Sequence, residues 1–160
     1  MQAITILGSN QGDRRQSIHE AIRQLSVTNR LVLLSSCYET APWGFESTEP
    51  FLNQVAVFET HLSPLDFLHH CLNVEKALGR IRLENSPRYT SRPIDIDMLF
   101  YGSTVMETPE LILPHPRLHL RNFVLVPLAE ILPQWEHPVL HKNMAELLAD
   151  CPDRLEVKKL

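Results

Sequence analysis

Residues 2 to 8, built around Ala3-Ile4-Thr5-Ile6-Leu7, predict a buried strand that stops at Gly8-Ser9-Asn10. The period then changes. Asp13 stands where a helix cap belongs, Gln16 follows three residues on as a capping-box partner, and Ile18, Ala21, Ile22 and Leu25 form one apolar stripe. Residues 31 to 38 predict a second strand. After an irregular stretch holding Pro42, Gly44 and Pro50, residues 53 to 60 alternate as a third. Ser63-Pro64 opens a second helix, with Leu65, Leu68, Leu72 and Leu78 expected on its buried side. Residues 80 to 93 break both periods and hold four arginines (Arg80, Arg82, Arg88, Arg92) against one acid (Glu84), which predicts an exposed loop of local charge +3. Residues 94 to 101 predict a fourth strand.

The order strand, helix, strand, strand, helix, strand is that of a ferredoxin-like α+β sandwich (βαββαβ), whose helices lie on one face of an antiparallel sheet. Residues 102 to 160 are expected to add turns and short helices, one of them near 124 to 131. The twelve prolines punctuate the chain without gathering into a linker, and no repeat is present. A length of 160 residues suits one domain, taken here as 1–160.

Composition removes several classes. With 44% hydrophobic and 21% charged residues, disorder, collagen and coiled coil are excluded. A formal net charge of −4 argues against a nucleic acid or an anionic membrane as main partner, so any basic site must be local. No apolar run approaches the roughly 20 residues of a membrane span, and the start lacks the pattern of a secretory signal. These features predict a cytoplasmic protein. Cys37, Cys71 and Cys151 are too widely spaced to suggest zinc or a redox pair and are taken as reduced filler residues.

Strand residues two apart share a face at about 6.6 Å, so Asp95 and Asp97 should point one way while Ile94, Ile96 and Met98 point the other. Two carboxylates on one patch serve either as a solvated strand face or as ligands for hard cations. The adjacent arginines favour the second reading, because Mg²⁺ takes one or two carboxylates plus substrate phosphates while guanidinium groups neutralise phosphoryl charge. Leu99 continues the same face and is apolar, which places the acids where that face leaves the core. Glu75 falls on the helical line of Leu68 and Leu72 and should sit at the rim of the core, as a surface residue paired with an arginine or as part of a site. Two prolines stiffen the chain around His115, and Arg121 and Phe123 follow. His69 and His70, mid-helix, are expected to be surface or structural residues. Trp43, Phe45 and Phe51, followed by Asn53, would suit a flat heterocycle, although core packing explains the rings equally well. Gly8-Ser9-Asn10-Gln11-Gly12 lacks the ending of a P-loop.

Gly8-Ser9-Asn10, Thr40-Ala41-Pro42-Trp43-Gly44, Phe51-Leu52-Asn53, Glu75 with Gly79-Arg80-Ile81-Arg82, Arg92-Pro93-Ile94-Asp95-Ile96-Asp97, and Pro114-His115 through Phe123-Val124-Leu125-Val126-Pro127-Leu128 together resemble the 6-hydroxymethyl-7,8-dihydropterin pyrophosphokinases of folate synthesis. The likeness runs in order from Ile4 to Pro133. It implies transfer of the terminal pyrophosphoryl group of ATP to the pterin hydroxymethyl oxygen, with release of AMP, by a monomer. By position, the resemblance gives Asp95 and Asp97 two Mg²⁺ ions. It gives the pterin Phe51 and Phe123 as a sandwich, with Asn53 and the chain around Thr40, Pro42 and Trp43 along its edge. Arg80, Arg82 and Arg92 become catalytic, while Arg82, Arg88, Arg92, His115 and Arg121 contact the triphosphate, and Glu75 supports. Two departures stand out: Thr90-Ser91 precede Arg92 where many members have Gly-Pro or Ala-Pro, and Tyr89 stands where some have Trp.

Two other classes compete. A nucleotidyltransferase also joins Gly-Ser to Asp-x-Asp, but at a much shorter spacing than that between Gly8 and Asp95. A ferredoxin-like RNA-binding or sensing module would need an aromatic sheet motif that is missing.

Overall fold

A computed structural model describes residues 1–40, 49–79 and 93–160. Strand β1 (Gln2–Ser9) is buried along almost its whole length because it is covered on both faces and paired on both edges. Helix α1 (Arg14–Leu25) starts as expected, with the Asp13 carboxylate accepting the Gln16 backbone N–H at 3.1 Å, and it buries Ile18, Ala21, Ile22 and Leu25. The strand expected over 31 to 38 is two strands, β2 (Arg30–Leu34) and β3 (Tyr38–Thr40), which pair with opposite ends of β4 (Phe51–Glu59). Ser35 accounts for the break. Its backbone N–H donates to the Val55 carbonyl at 2.9 Å, and its hydroxyl accepts the Val55 N–H at 2.9 Å. A side chain thus takes a ladder position and the strand direction is released between the two halves.

Helix α2 (Pro64–Ala77) is capped by Ser63, whose hydroxyl accepts the Asp66 N–H at 3.2 Å, and Pro64 sits in its first turn. Its buried line is Phe67, Cys71, Val74 and Glu75, whereas Leu65, Leu68 and Leu78 are partly buried at its flanks. The leucine stripe expected from the sequence is therefore rotated by about one position, since the single phenylalanine and the cysteine occupy the centre. The remaining elements are β5 (Asp95–Tyr101), a small ribbon of β6 (Met106–Glu107) and β7 (Ile112–Leu113), a 3-10 turn at Leu118–Leu120, α3 (Asn122–Ile131), α4 (Met144–Asp150) and β8 (Val157–Lys159). Among the described residues no helix is long and apolar enough to cross a membrane.

The main sheet runs β5-β1-β4-β3-β8, with β2 on the same side of β4 as β3, and every described pairing is antiparallel. Within it lies the expected ferredoxin-like core. Alternate residues of β1 feed two separate cores: Ala3 and Leu7 face α1 and α2, while Ile4 and Ile6 face α3 and α4. The segment expected to contribute only turns and short helices thus covers the second face, through Val124, Leu125, Leu128, Met144 and Leu147, and returns a strand to the sheet.

His137 belongs to this second layer. It is buried, stands edge-on to Phe100 at 5.6 Å, and accepts the Val139 and Leu140 N–H groups at Nδ1. Burial first, then His119 and His141, hold its pKa below the ordinary 6.5. A depressed imidazole pKa means that the unfolded chain binds the proton more readily, so its contribution is intact above about 6.5 and is lost as pH falls through the folded value. The melting temperature should therefore drop between pH 7.5 and 5.5, and His137→Asn, which keeps an acceptor, should lose less over that interval. An identical pH dependence in both proteins would exclude His137 as the group responsible.

Candidate active site

The site is assembled by register. One row crosses the sheet as Asp95 on β5, Gly8 on β1, Asn53 on β4, Tyr38 on β3 and Lys159 on β8. The neighbouring row runs Asp97, Ile6, Val55. Directly paired residues share a face, and Ile6 and Val55 belong to the core under α3 and α4, so both acids, Gly8 and Asn53 occupy that face. Phe51, opposite Thr40, is on it too, two residues from Asn53. Asp95 and Asp97 are half-buried where the apolar face ends, while Ile96 and Met98 are buried under α1 and α2, as their spacing predicts.

Strand β5 lies at the sheet edge, and two side elements occupy its outer side. Glu75 is only 2% exposed, deeper than the rim position expected, and its carboxylate accepts the Ile96 N–H at 2.7 Å. Ile96 lies between the two acids. A buried carboxylate needs such donors, and the edge N–H needs an acceptor, so each satisfies the other. Burial, followed by the charges of Glu75 and Asp97, pushes the nearby Cys71 thiol well up, leaving it protonated and inert. Farther along, the His115 N–H donates to the Leu99 carbonyl at 2.9 Å. His115 Nδ1 accepts the Arg117 N–H at 3.2 Å, which leaves Nε2 to carry the proton of the neutral ring.

Helix α3 packs on the same face, over β3, β4 and β8. The Asp153 carboxylate accepts the Asn122 N–H at 2.9 Å and so caps the first turn, between Arg121 and Phe123. Arg121 is 8% exposed and its guanidinium lies 5.7 Å from the centre of the Phe123 ring. Phe123 is partly buried and packs against the edge of the second core.

Three supports were not visible in the sequence. Arg14 donates to the Pro50 carbonyl at 2.9 Å and pairs with Glu39 at 2.9 Å, tying the residue before Thr40 to the residue before Phe51. Glu130 of α3 receives the Ser36 N–H and hydroxyl at 2.8 and 2.6 Å and pairs with Lys159 at 3.3 Å, which fastens α3 to β8 and to the lead-in of β3. Asp153 is the third. Each acts across a large sequence separation and no periodicity announces it. His69, bonded to Glu110 at 2.8 Å on the surface, is the structural residue expected. Pro42, Trp43, Arg80, Arg82, Arg88 and Arg92, and with them the arginine loop, lie outside the described residues.

Residues 4–133 match the family model of 7,8-dihydro-6-hydroxymethylpterin-pyrophosphokinase (HPPK). The chain belongs to the HPPK family. Among its relatives, the 2-amino-4-hydroxy-6-hydroxymethyldihydropteridine pyrophosphokinase of Porphyromonas gingivalis is 46% identical over 134 residues, covering 82% of this chain and 90% of that one. The enzyme of the same name from Methylorubrum extorquens is 43% identical over 129 residues, covering 79% and 80%. A crystal structure of Plasmodium falciparum HPPK-DHPS with pteroate superposes with a TM-score of 0.74 at 16% identity, over 93% of this chain and 42% of that one. The HPPK chain thus spans less than half of that two-part protein, and the likeness concerns the fold. The described candidate residues come from β1, β3, β4, α2, β5, α3 and the segment between β7 and α3.

The Glu75 bond makes a measurable claim about β5. Glu75→Ala should remove the acceptor of the Ile96 N–H, cost about 1–3 kcal/mol of stability, and raise Ile96 amide exchange at least roughly tenfold. Glu75→Gln, which keeps a carbonyl acceptor, should retain most of the protection. Unchanged Ile96 exchange in the alanine variant would show that the bond does not hold the edge.

Proposed function

We propose that this HPPK transfers the pyrophosphoryl group of ATP to the hydroxymethyl group of 6-hydroxymethyl-7,8-dihydropterin in folate synthesis, with Asp95 and Asp97 as Mg²⁺ ligands. The observation that carries this reading is the shared face of Asp95, Asp97, Asn53 and Phe51: two carboxylates on β5, and an amide beside an aromatic ring on β4, separated by β1 in one sheet. We take residues 1–160 as one such domain acting as a monomer.

The donor set fits magnesium. Among the described residues no group of three or more His, Cys, Asp or Glu side chains is arranged to hold a metal. Two half-buried carboxylates leave most of a hard cation's shell to water and phosphate oxygens, which is how Mg²⁺ is ordinarily held and not how zinc is. Asp95 and Asp97 would hold two ions there, and the chemistry so supplied is charge neutralisation along the triphosphate.

Release of AMP fixes which bonds change. The hydroxymethyl oxygen attacks the β-phosphorus, the bond from that phosphorus to the α,β-bridging oxygen breaks, and AMP leaves with the bridging oxygen while the hydroxymethyl group gives up its proton. The protein's contribution to such a transfer is positioning and charge. Phe123 and Phe51 would hold the pterin ring between them, and Asn53, with the chain around Thr40, Pro42 and Trp43, would pair with its edge. His115, with its proton on Nε2, would donate to a phosphate oxygen. Arg121, buried and beside the Phe123 ring, would offer a cation, and Arg80, Arg82, Arg88 and Arg92 would complete the charge balance around the triphosphate.

Identifying the nucleotide product of a reaction with Mg-ATP and the reduced pterin tests the function. AMP formed only in the presence of pterin is expected; pyrophosphate release would indicate nucleotidyl transfer, and no turnover a binding module. Asp95→Asn and Asp97→Asn should each lose nearly all turnover while melting within a few degrees of the parent, since volume is kept and a hard anionic ligand is lost. Near-normal rates at saturating Mg²⁺ would refute the metal assignment.

Phe123→Ala should weaken pterin binding by about 1–3 kcal/mol, the scale of a lost stacking partner, with little change in ATP affinity. Global unfolding of this variant would mark the ring as a core residue instead.

A further inference from the structure

Gly8 is a glycine for a reason its backbone does not supply. Gly12, Gly79 and Gly102 hold positive φ angles, and Gly8 does not. Any side chain could adopt its conformation in β1. What excludes one is a single contact: a Cβ at Gly8 would stand 2.5 Å from Asn53 Oδ1, while its next neighbours, Asn53 Cγ at 3.6 Å and the Leu52 carbonyl oxygen at 3.8 Å, lie at ordinary distances. The Asn53 carboxamide therefore occupies the volume that a side chain at position 8 would fill. Asn53 is paired to Gly8 across the ladder and is 6% exposed, and the residue on the other side of Gly8 in the same row is Asp95.

We propose that Gly8 is a positioning residue for the pterin. The absence of a methyl group on β1 lets the Asn53 carboxamide fold across that strand toward β5, which sets the spacing between the group that reads the pterin edge and the carboxylate that serves the phosphates. The proposal rests on the assignment of Asn53 to the pterin. A methyl group at position 8 meets only the far end of one side chain, so the fold yields by moving the carboxamide and the sheet stays intact. The cost falls on recognition, because an amide turned away from its partner leaves the donor and acceptor groups of the heterocycle unpaired.

The test is a double-mutant cycle on Gly8→Ala, Asn53→Ala and the pair, following KM for 6-hydroxymethyl-7,8-dihydropterin, KM for ATP, and melting temperature. Gly8→Ala should raise the pterin KM roughly tenfold, leave the ATP KM within about twofold, and shift melting by no more than a few degrees. Because Gly8→Ala acts through the carboxamide, the pair should match Asn53→Ala alone in pterin KM, and any melting loss in Gly8→Ala should be recovered when the carboxamide is removed. Multiplying effects in the pair, or an ATP KM that rises as much as the pterin KM, would overturn the proposal. So would an unaltered pterin KM in Gly8→Ala beside a raised one in Asn53→Ala. An unchanged pterin KM in Asn53→Ala would instead overturn the assignment of Asn53, and the proposal with it.

Discussion

The geometry of the acids depends on how an edge strand is held. Strand β5 has a ladder partner on one side only, and the backbone N–H between Asp95 and Asp97 points away from it, into the Glu75 carboxylate. A buried charge without donors and a buried N–H without an acceptor would each cost several kcal/mol. Joined, they fix the outer side of β5 at the residue where two carboxylates must hold a common direction. Without that bond the strand end could turn, and a turn of one residue exchanges acids for isoleucines. The His115 N–H repeats the device at Leu99, so a residue expected at the triphosphate also helps to anchor the acid-bearing strand.

The sheet divides its labour by face. The layer of α1 and α2 is mostly apolar, through Ala3, Leu7, Ala56, Phe58, Phe67 and Ile96, with Thr5 and Glu75 as buried polar members. The other face changes character midway: Ile4, Ile6, Val55 and Val57 pack under α3 and α4, and one step farther the same face presents Gly8, Asn53 and Asp95. The candidate site is thus the polar continuation of an apolar face. Its walls inherit the rigidity of that core, which suits a reaction in which the protein chiefly positions two substrates.

Local pattern carried the parts of this design that depend on local pattern. The alternation of Asp95, Ile96, Asp97 and Met98 gave the correct faces, and Asp13, Ser63 and Pro64 marked helix starts because caps are local chemistry. Glu75 stands out in the sequence as an acid on an apolar line, but its depth is not legible there, since the Ile96 N–H that accounts for it comes from another element. The split of β2 from β3 depends on one serine hydroxyl replacing a backbone group at Val55, which no hydrophobicity pattern encodes. The second helical layer looks like an extension in the sequence because α4 is seven residues long and its buried residues, Met144 and Leu147, make sense only with α3 packed against them. The family likeness names candidate site residues without reference to the fold; it does not name Arg14, Glu130 or Asp153, which act through carbonyls and carboxylates distant in sequence.

Strand β8 has a consequence for the order in which the molecule is made. It pairs Lys159 with Tyr38 and Val157 with Thr40, and Lys159 reaches Glu130, so the outer edge of β3 is closed by residues that emerge from the ribosome more than a hundred positions later. Until then the growing chain carries an open strand edge beside Thr40, the kind of edge that invites pairing with another chain. Lysines at 158 and 159 place charge on the strand that finally seals it, discouraging further addition once synthesis has passed that point. The edge of the sheet beside Thr40 is therefore among the last to close, well after the strand that bears Asp95 and Asp97 has been synthesised.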